Sequence, residues 1–210
     1  MSIQRHVEWD GTRFVGYVDI GTGVTDDSTP VAKDVFVLLA VALNDNWKIP
    51  CGYFFIDGMS GEERSNIVNE CITRLHETGV LVVSITCDGP SFNMAMIRAL
   101  GCIVDPFSPN FRPSFQHPCQ THDQIQIMLD PCHMLKLIRN CLSDLAVLHD
   151  NTNTPIQWAH LTALHNLQQY EGLRLRNKLK SAKIDWQKQK MKVNLAAQTI
   201  SASVADAAMS

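Results

Sequence analysis

The sequence predicts an α/β protein: a mixed five-stranded sheet flanked by helices, followed by an all-α segment. Three observations carry that expectation. Residues 14–20, 35–43 and 49–56 are apolar runs of strand length separated by turn residues. From residue 60 to residue 145 helical and strand patterns alternate, and after residue 154 the pattern is helical only. At 210 residues the chain has room for one large domain, or one domain plus part of another.

Each element has a local cause. Residues 14–20 (FVGYVDI) are closed by Gly21-Thr22-Gly23, which turns a strand. Residues 35–43 are continuously apolar, as in a strand covered on both faces. Asn44-Asp45-Asn46 turns the chain back into 49–56, completing a three-strand meander. Past Asp57-Gly58, Ser60 and Glu63 have capping-box spacing, each side chain placed to bond the other's backbone N–H. Ile67, Val68, Cys71, Ile72 and Leu75 recur at helical spacing, and Gly79 is a C-terminal stop. Residues 80–86 (VLVVSIT) are β-branched and apolar, as in a central parallel strand.

Cys87-Asp88-Gly89-Pro90 then leads into a helix with Pro90 in its first turn and Gly101 past its end. Residues 105–122, rich in Pro, Ser, Asn and Gln, read as a loop, and 125–129 as the fifth strand. Asp130-Pro131 starts a helix carrying Leu135, Ile138, Leu142 and Leu145 on one face. After a linker at 151–154, Thr154-Pro155 opens a helix to about Tyr170, and helix continues to the end. The order β-β-β-α-β-α-β-α is that of the ribonuclease H fold.

Composition narrows the classes. With 45% hydrophobic and 19% charged residues the chain is neither disordered, collagenous nor a coiled coil. Its longest apolar run, 35–43, falls short of the roughly 18 residues of a membrane span. The first ten residues hold no apolar signal-peptide segment. Seven scattered cysteines fit a reducing compartment better than a disulfide framework. A net charge of −3 argues against a whole-domain nucleic-acid glove. Yet eight of the 18 Lys and Arg lie between Arg174 and Lys192, opposed only by Asp185; a solvated helix face and a phosphate-binding surface both fit.

Two aspartates stand where open α/β sheets put their ligands, at the carboxyl ends of strands. Asp19 is near the end of the first strand and Asp88 just past the fourth, strands that neighbour each other in the ribonuclease H order. Two carboxylates about 4 Å apart repel by about 4 kcal/mol at an effective dielectric of 20. A shared proton or a divalent cation relieves that repulsion, and hard oxygen donors select Mg²⁺ or Mn²⁺. The plainer reading of each Asp, close to a Gly at a strand end, is a turn former or helix cap. Asp57 reads as a turn residue, Asp130 as an N-cap, and Glu62 and Glu63 as capping and dipole residues.

Weaker signals stand beside these. Cys119, His122, Cys132 and His133 offer four zinc ligands, but in no finger spacing. Asp19-Ile20-Gly21-Thr22-Gly23 resembles the first phosphate loop of actin-like ATPases, whose second glycine-rich loop has no counterpart at Asp88-Gly89-Pro90-Ser91. No Walker-type phosphate loop is present.

Several ordered blocks resemble the P-element family of DNA transposases, whose members carry a THAP zinc finger. They are Trp47-Lys48-Ile49-Pro50 with Gly52-Tyr53-Phe54, Gly61-Glu62-Glu63-Arg64, Thr86-Cys87-Asp88-Gly89-Pro90-Ser91, and the run from Asp130-Pro131-Cys132-His133 to Leu137. Leu175 with Asn177-Lys178-Leu179, and Lys190-Met191-Lys192-Val193 with Leu195-Ala196-Ala197-Gln198, extend the likeness. The resemblance implies a cut-and-paste transposase with a ribonuclease H-like catalytic domain over 10–132. A helical GTP-binding insertion would begin at 133 and run through 210. It implies Asp19 and Asp88 as the first two carboxylates of an Asp-Asp-Glu triad holding Mg²⁺ or Mn²⁺. Lys178, Lys192, Val193 and Ser201 are implied on the nucleotide side. DNA and GTP as partners, a homo-oligomer, no membrane and a nuclear location follow from the same resemblance. The third carboxylate has no match in this sequence, so a fragment is expected. The rival reading is a domesticated, non-catalytic DNA-binding or regulatory protein.

Overall fold

The computed structural model describes residues 1–21, 29–172 and 179–209. The chain divides into two compact units, Met1–Ile85 with Pro90–Met128, and Thr86–Gly89 with Leu129–Ser210.

In the first unit, β1 (Glu8–Trp9) and β2 (Phe14–Val15) pair antiparallel around a turn held by Asp10. One Asp10 oxygen accepts the Thr12 hydroxyl and the Arg13 and Thr12 N–H groups, which hold its pKa down to about 2. The strand expected over 14–20 stops after two residues because Gly16 takes φ +111°, where a Cβ would lie 2.0 Å from the His6 carbonyl oxygen. Beyond it the segment makes single antiparallel bridges, Tyr17 to Val31 and Asp19 to Phe55.

β3 (Asp34–Val41) pairs antiparallel with β4 (Lys48–Ile56), as expected. Leu38 faces Gly52 but Leu39 faces Pro50, so Cys51 is the extra residue of a β-bulge. Strict alternation would put Ile49 and Phe54 on opposite faces. The bulge turns both toward one apolar cavity of about 830 Å³, which Cys51 and, from the following helix, Ile67 and Leu75 also line.

That helix, α1 (Gly61–Glu77), carries the capping box as expected. The Ser60 N–H donates to the Glu63 carboxylate at 2.7 Å, and the Glu63 N–H donates to the Ser60 hydroxyl at 3.2 Å. α1 packs against α2 (Ser91–Ala99), for which Pro90 is the N-cap rather than a first-turn residue. Their approach is close enough that a Cβ on Gly61 would lie 2.6 Å from the Ala95 carbonyl carbon. Val68 and Ile72 of α1 and Met96 and Ile97 of α2 are buried.

The remaining strands, β5 (Ser84–Cys87), β6 (Ser114–Gln116) and β7 (Gln124–Leu129), form a sheet with β7 in the middle. β6 lies inside the segment expected to be loop, because Phe115 is buried and pairs with Ile125. Among the described residues the strands therefore form separate two- and three-stranded sheets, where one five-stranded sheet was expected.

The second unit opens with α3 (Pro131–Leu145), N-capped by Asp130, whose carboxylate accepts the Cys132 N–H at 3.0 Å. The all-α expectation fails next. Ala146 leaves the helix with φ +63°, and β8 (Val147–His149) and β9 (Pro155–Gln157) form a hairpin. Asp150 closes it by accepting the N–H groups of Thr152 and Thr154, an Asx-type turn that outcompetes the Thr-Pro helix start. α4 (Trp158–Glu171) thus begins only at Trp158.

Further on, the described residues are helical, as expected, but in short pieces. α5 (Ser181–Ile184), a 3₁₀ turn (Trp186–Gln189), α6 (Val193–Thr199) and α7 (Ala202–Met209) follow one another. Leu164, Leu179 and Val204 form the apolar cluster, with Leu161, Ile184 and Ala207 against it. Among the described residues no helix is long and apolar enough to cross a membrane.

Candidate metal and nucleotide sites

Asp19 belongs to the first unit and Asp88 to the second. Asp19 exchanges both backbone hydrogen bonds with Phe55 of β4, each at 2.9 Å, which anchors its main chain at a sheet edge. Its side chain is exposed, and one oxygen accepts the Gly21 N–H at 2.8 Å. That bond is the turn role expected of an Asp before glycine; it fixes the carboxylate's direction and leaves the second oxygen available to a ligand. The next residue, Ile20, lines the largely apolar cavity.

Asp88 is half-buried, one residue past the end of β5. Burial, and then the charge of Asp88, push the neighbouring Cys87 thiol up to about 11. The sheet hydrogen bond from the Asp130 N–H to the Cys87 carbonyl, 2.8 Å, ties this segment to the start of α3.

Other expected roles sort plainly. Asp57 pairs with Lys33 and Asp130 caps α3, so both are structural. Cys119 contacts the Thr73 hydroxyl at 3.7 Å, and Cys132 stands at the exposed start of α3. Among the described residues no three His, Cys, Asp or Glu side chains gather as a metal cage, so the zinc reading has no geometry behind it. As oxygen donors, Asp19 and Asp88 match a hard divalent cation in ligand type.

Lys178 lies outside the described residues. Lys192 is exposed at the N-cap of α6, Val193 is that helix's first residue, and the Ser201 hydroxyl donates to the Gln198 carbonyl at 3.2 Å just before α7. The described part of the basic cluster is not one helix face. Lys180, Lys188, Lys190 and Lys192 are exposed on successive short elements, whereas Lys183 is buried.

Two buried arginines had no sequence signal beyond their position in or near the quoted blocks. Arg64 of α1 is 7% exposed, lies 5.2 Å from the Phe36 ring centre and 4.6 Å from that of Phe92, and donates to the Met59 carbonyl at 3.2 Å. Arg139 of α3 is fully buried against Trp186. Burial lowers the pKa of both guanidinium groups, opposed at Arg64 by the charge of Asp34.

Comparison with known proteins gives this geometry a context. Residues 1–101 match the family described as TNP-like, RNase H N-terminal domain, and residues 132–209 the TNP-like, GTP-binding insertion domain. The human DNA transposase THAP9 is 32% identical over 210 residues, 99% of this chain and 23% of that protein. The Drosophila melanogaster transposable element P transposase is 31% identical over 107 residues, 50% of this chain and 13% of that one. The chain thus spans under a quarter of the length of these relatives. In structure it resembles the Drosophila P element transposase strand transfer complex, with a TM-score of 0.78 at 23% identity over 99% of this chain and 42% of the other. Two domain matches in the expected order, homologous sequence throughout and a shared fold agree: the chain belongs to the P-element-like transposase family.

Proposed function

We propose that this chain supplies part of the catalytic core and the opening of the GTP-binding insertion of a cut-and-paste DNA transposase, with the boundary at 132/133. The observation that carries the reading is the ordered pair of domain matches, one ending before and the other beginning at α3. On this reading residues 10–132 form a ribonuclease H-like core and 133–210 the insertion. Its partners are transposon-end and target DNA and GTP; it works as a homo-oligomer in the nucleus.

Asp19 and Asp88 are the residues that would hold Mg²⁺ or Mn²⁺. A bound ion of this kind offsets the charge of a phosphodiester and favours the deprotonated form of an attacking water or 3′-hydroxyl. Asp19 presents its second oxygen from a turn already fixed by Gly21, so little side-chain entropy is lost on ligation. Lys192 and Val193, with Ser201 and Lys178, form the nucleotide side. The exposed Lys192, with Lys188 and Lys190 before it, supplies positive charge of the kind three phosphates require.

The test is a Mn²⁺ titration of the chain followed by electron paramagnetic resonance. Weak binding that is lost in both Asp19→Asn and Asp88→Asn supports the assignment. Binding unchanged by either substitution refutes it, and no binding at all favours a non-catalytic, domesticated protein.

A further inference from the structure

Arg139 is fully buried, and among the described residues no carboxylate pairs with it. A buried guanidinium is costly to desolvate, so its contacts show what is gained in return. Its Nε donates to the Asn140 side-chain oxygen at 2.8 Å. One terminal nitrogen, Nη2, donates to the Gln189 carbonyl at 3.1 Å and to the Lys190 carbonyl at 3.4 Å. The guanidinium carbon lies 5.8 Å from the Trp186 ring centre, and the Lys190 ammonium lies 4.9 Å from the same ring. Trp186 itself is 2% exposed.

The clamped carbonyls lie three and two residues before Lys192. The Gln189 carbonyl that Arg139 holds also accepts the Lys192 N–H at 3.1 Å, and the Lys192 carbonyl accepts the Ala196 N–H at 3.2 Å. One run of hydrogen bonds therefore leads from α3 through the 3₁₀ turn to the first residues of α6. Lys188, Lys190, Met191 and Lys192 are all exposed, so this stretch draws little order from packing of its own side chains. A lysine at 139 could not reproduce the clamp. It carries a single donor centre, whereas the planar guanidinium meets a ring, a side-chain oxygen and two carbonyls at once.

We infer that Arg139 is a positioning residue for the nucleotide side: it holds the 189–192 turn so that Lys192 and Val193 meet an anionic triphosphate in one orientation. The inference rests on the reading of Lys192 and Val193 as nucleotide-side residues. It adds a residue that touches no ligand and acts through backbone 50 positions away.

The test uses the 210-residue chain in wild-type form and as Arg139→Met, Arg139→Lys and Lys192→Ala. Two readouts are taken: amide hydrogen exchange over 189–196, with the 147–157 hairpin as internal reference, and GTP binding by calorimetry. Arg139→Met is expected to speed exchange over 189–196 by about tenfold while the hairpin is unchanged, because local opening is what the clamp suppresses. It should weaken GTP binding by about tenfold, and Arg139→Lys should follow Met rather than wild type. Unchanged exchange at 189–196, an equal rise in the hairpin, or wild-type behaviour of Arg139→Lys would each overturn the inference. Loss of GTP binding in Lys192→Ala but not in Arg139→Met overturns it while leaving the nucleotide reading intact. Wild-type GTP binding that is unaffected by Lys192→Ala overturns the nucleotide reading, and the positioning role falls with it.

Discussion

The two units solve the same problem, a buried arginine, in different ways. In the first, Arg64 lies between Phe36 and Phe92 and bonds a carbonyl only five residues back, with the charge of Asp34 in its favour. In the second, Arg139 has one aromatic neighbour and carbonyl partners 50 and 51 residues away. Arg64 reinforces a helix start that Ser60 and Glu63 already define. Arg139 joins α3 to a turn whose exposed side chains provide little packing. The buried arginine of the first unit finds its polar partner locally, whereas that of the second, amid a succession of short helices, reaches polar partners far along the chain.

The largest expected effect is at the two buried arginines. Arg139→Ala removes a buried side chain and its hydrogen bonds, and should cost about 3–4 kcal/mol. Arg64→Ala, at a site where the capping box survives, should cost about 2 kcal/mol. Urea unfolding followed by far-UV circular dichroism measures both; an equal or reversed order would erase the distinction between the units.

Gly61 sets how closely α1 and α2 pack. A Cβ there would meet the Ala95 backbone, which cannot swing aside as a side chain can. Gly61→Ala should therefore destabilise by about 1–3 kcal/mol despite alanine's better helix propensity, and a melting temperature at or above wild type would show that α2 can shift.

The smallest effect is at the cap. Ser60→Ala should cost about 1 kcal/mol. The backbone and hydroxyl of Ser60 hold the Glu63 pKa below its ordinary 4.5, so protonation is favoured in the unfolded chain. The stabilisation this gives is fully present above about pH 4.5 and is lost as pH falls through the lowered folded value. The wild type should accordingly lose more stability than Glu63→Gln between pH 5 and pH 3, by a few tenths of a kcal/mol. Parallel pH profiles would remove Glu63 from the cap's energetics.

Where a residue's role depends on its near neighbours in sequence, it was legible. The capping box, the Asp130 N-cap, the β3–β4 pair and the turn role of Asp19 are all set by spacings of a few residues. The quoted blocks likewise carried the family. The structure departs from the local pattern where one particular contact outweighs a segment's usual preference. β6 forms in a Pro- and Ser-rich stretch because Phe115 finds Ile125, and Asp150 turns a Thr-Pro helix start into a hairpin. Gly16 cuts short an apolar strand because the His6 carbonyl occupies the space of a Cβ.

The sequence by itself determined the family, the α/β class of the first half, the helix caps and the chemical types of the candidate ligands, since these reside in residue identity and short spacing. Tertiary structure alone decided which cations are buried, that the Cys51 bulge aims β4 at one cavity, and that Arg139 reaches the turn before Lys192. The physical reason is that burial and hydrogen-bond partnership are properties of pairs of segments. For Arg139 and Gln189, 50 residues apart, folding creates that pair.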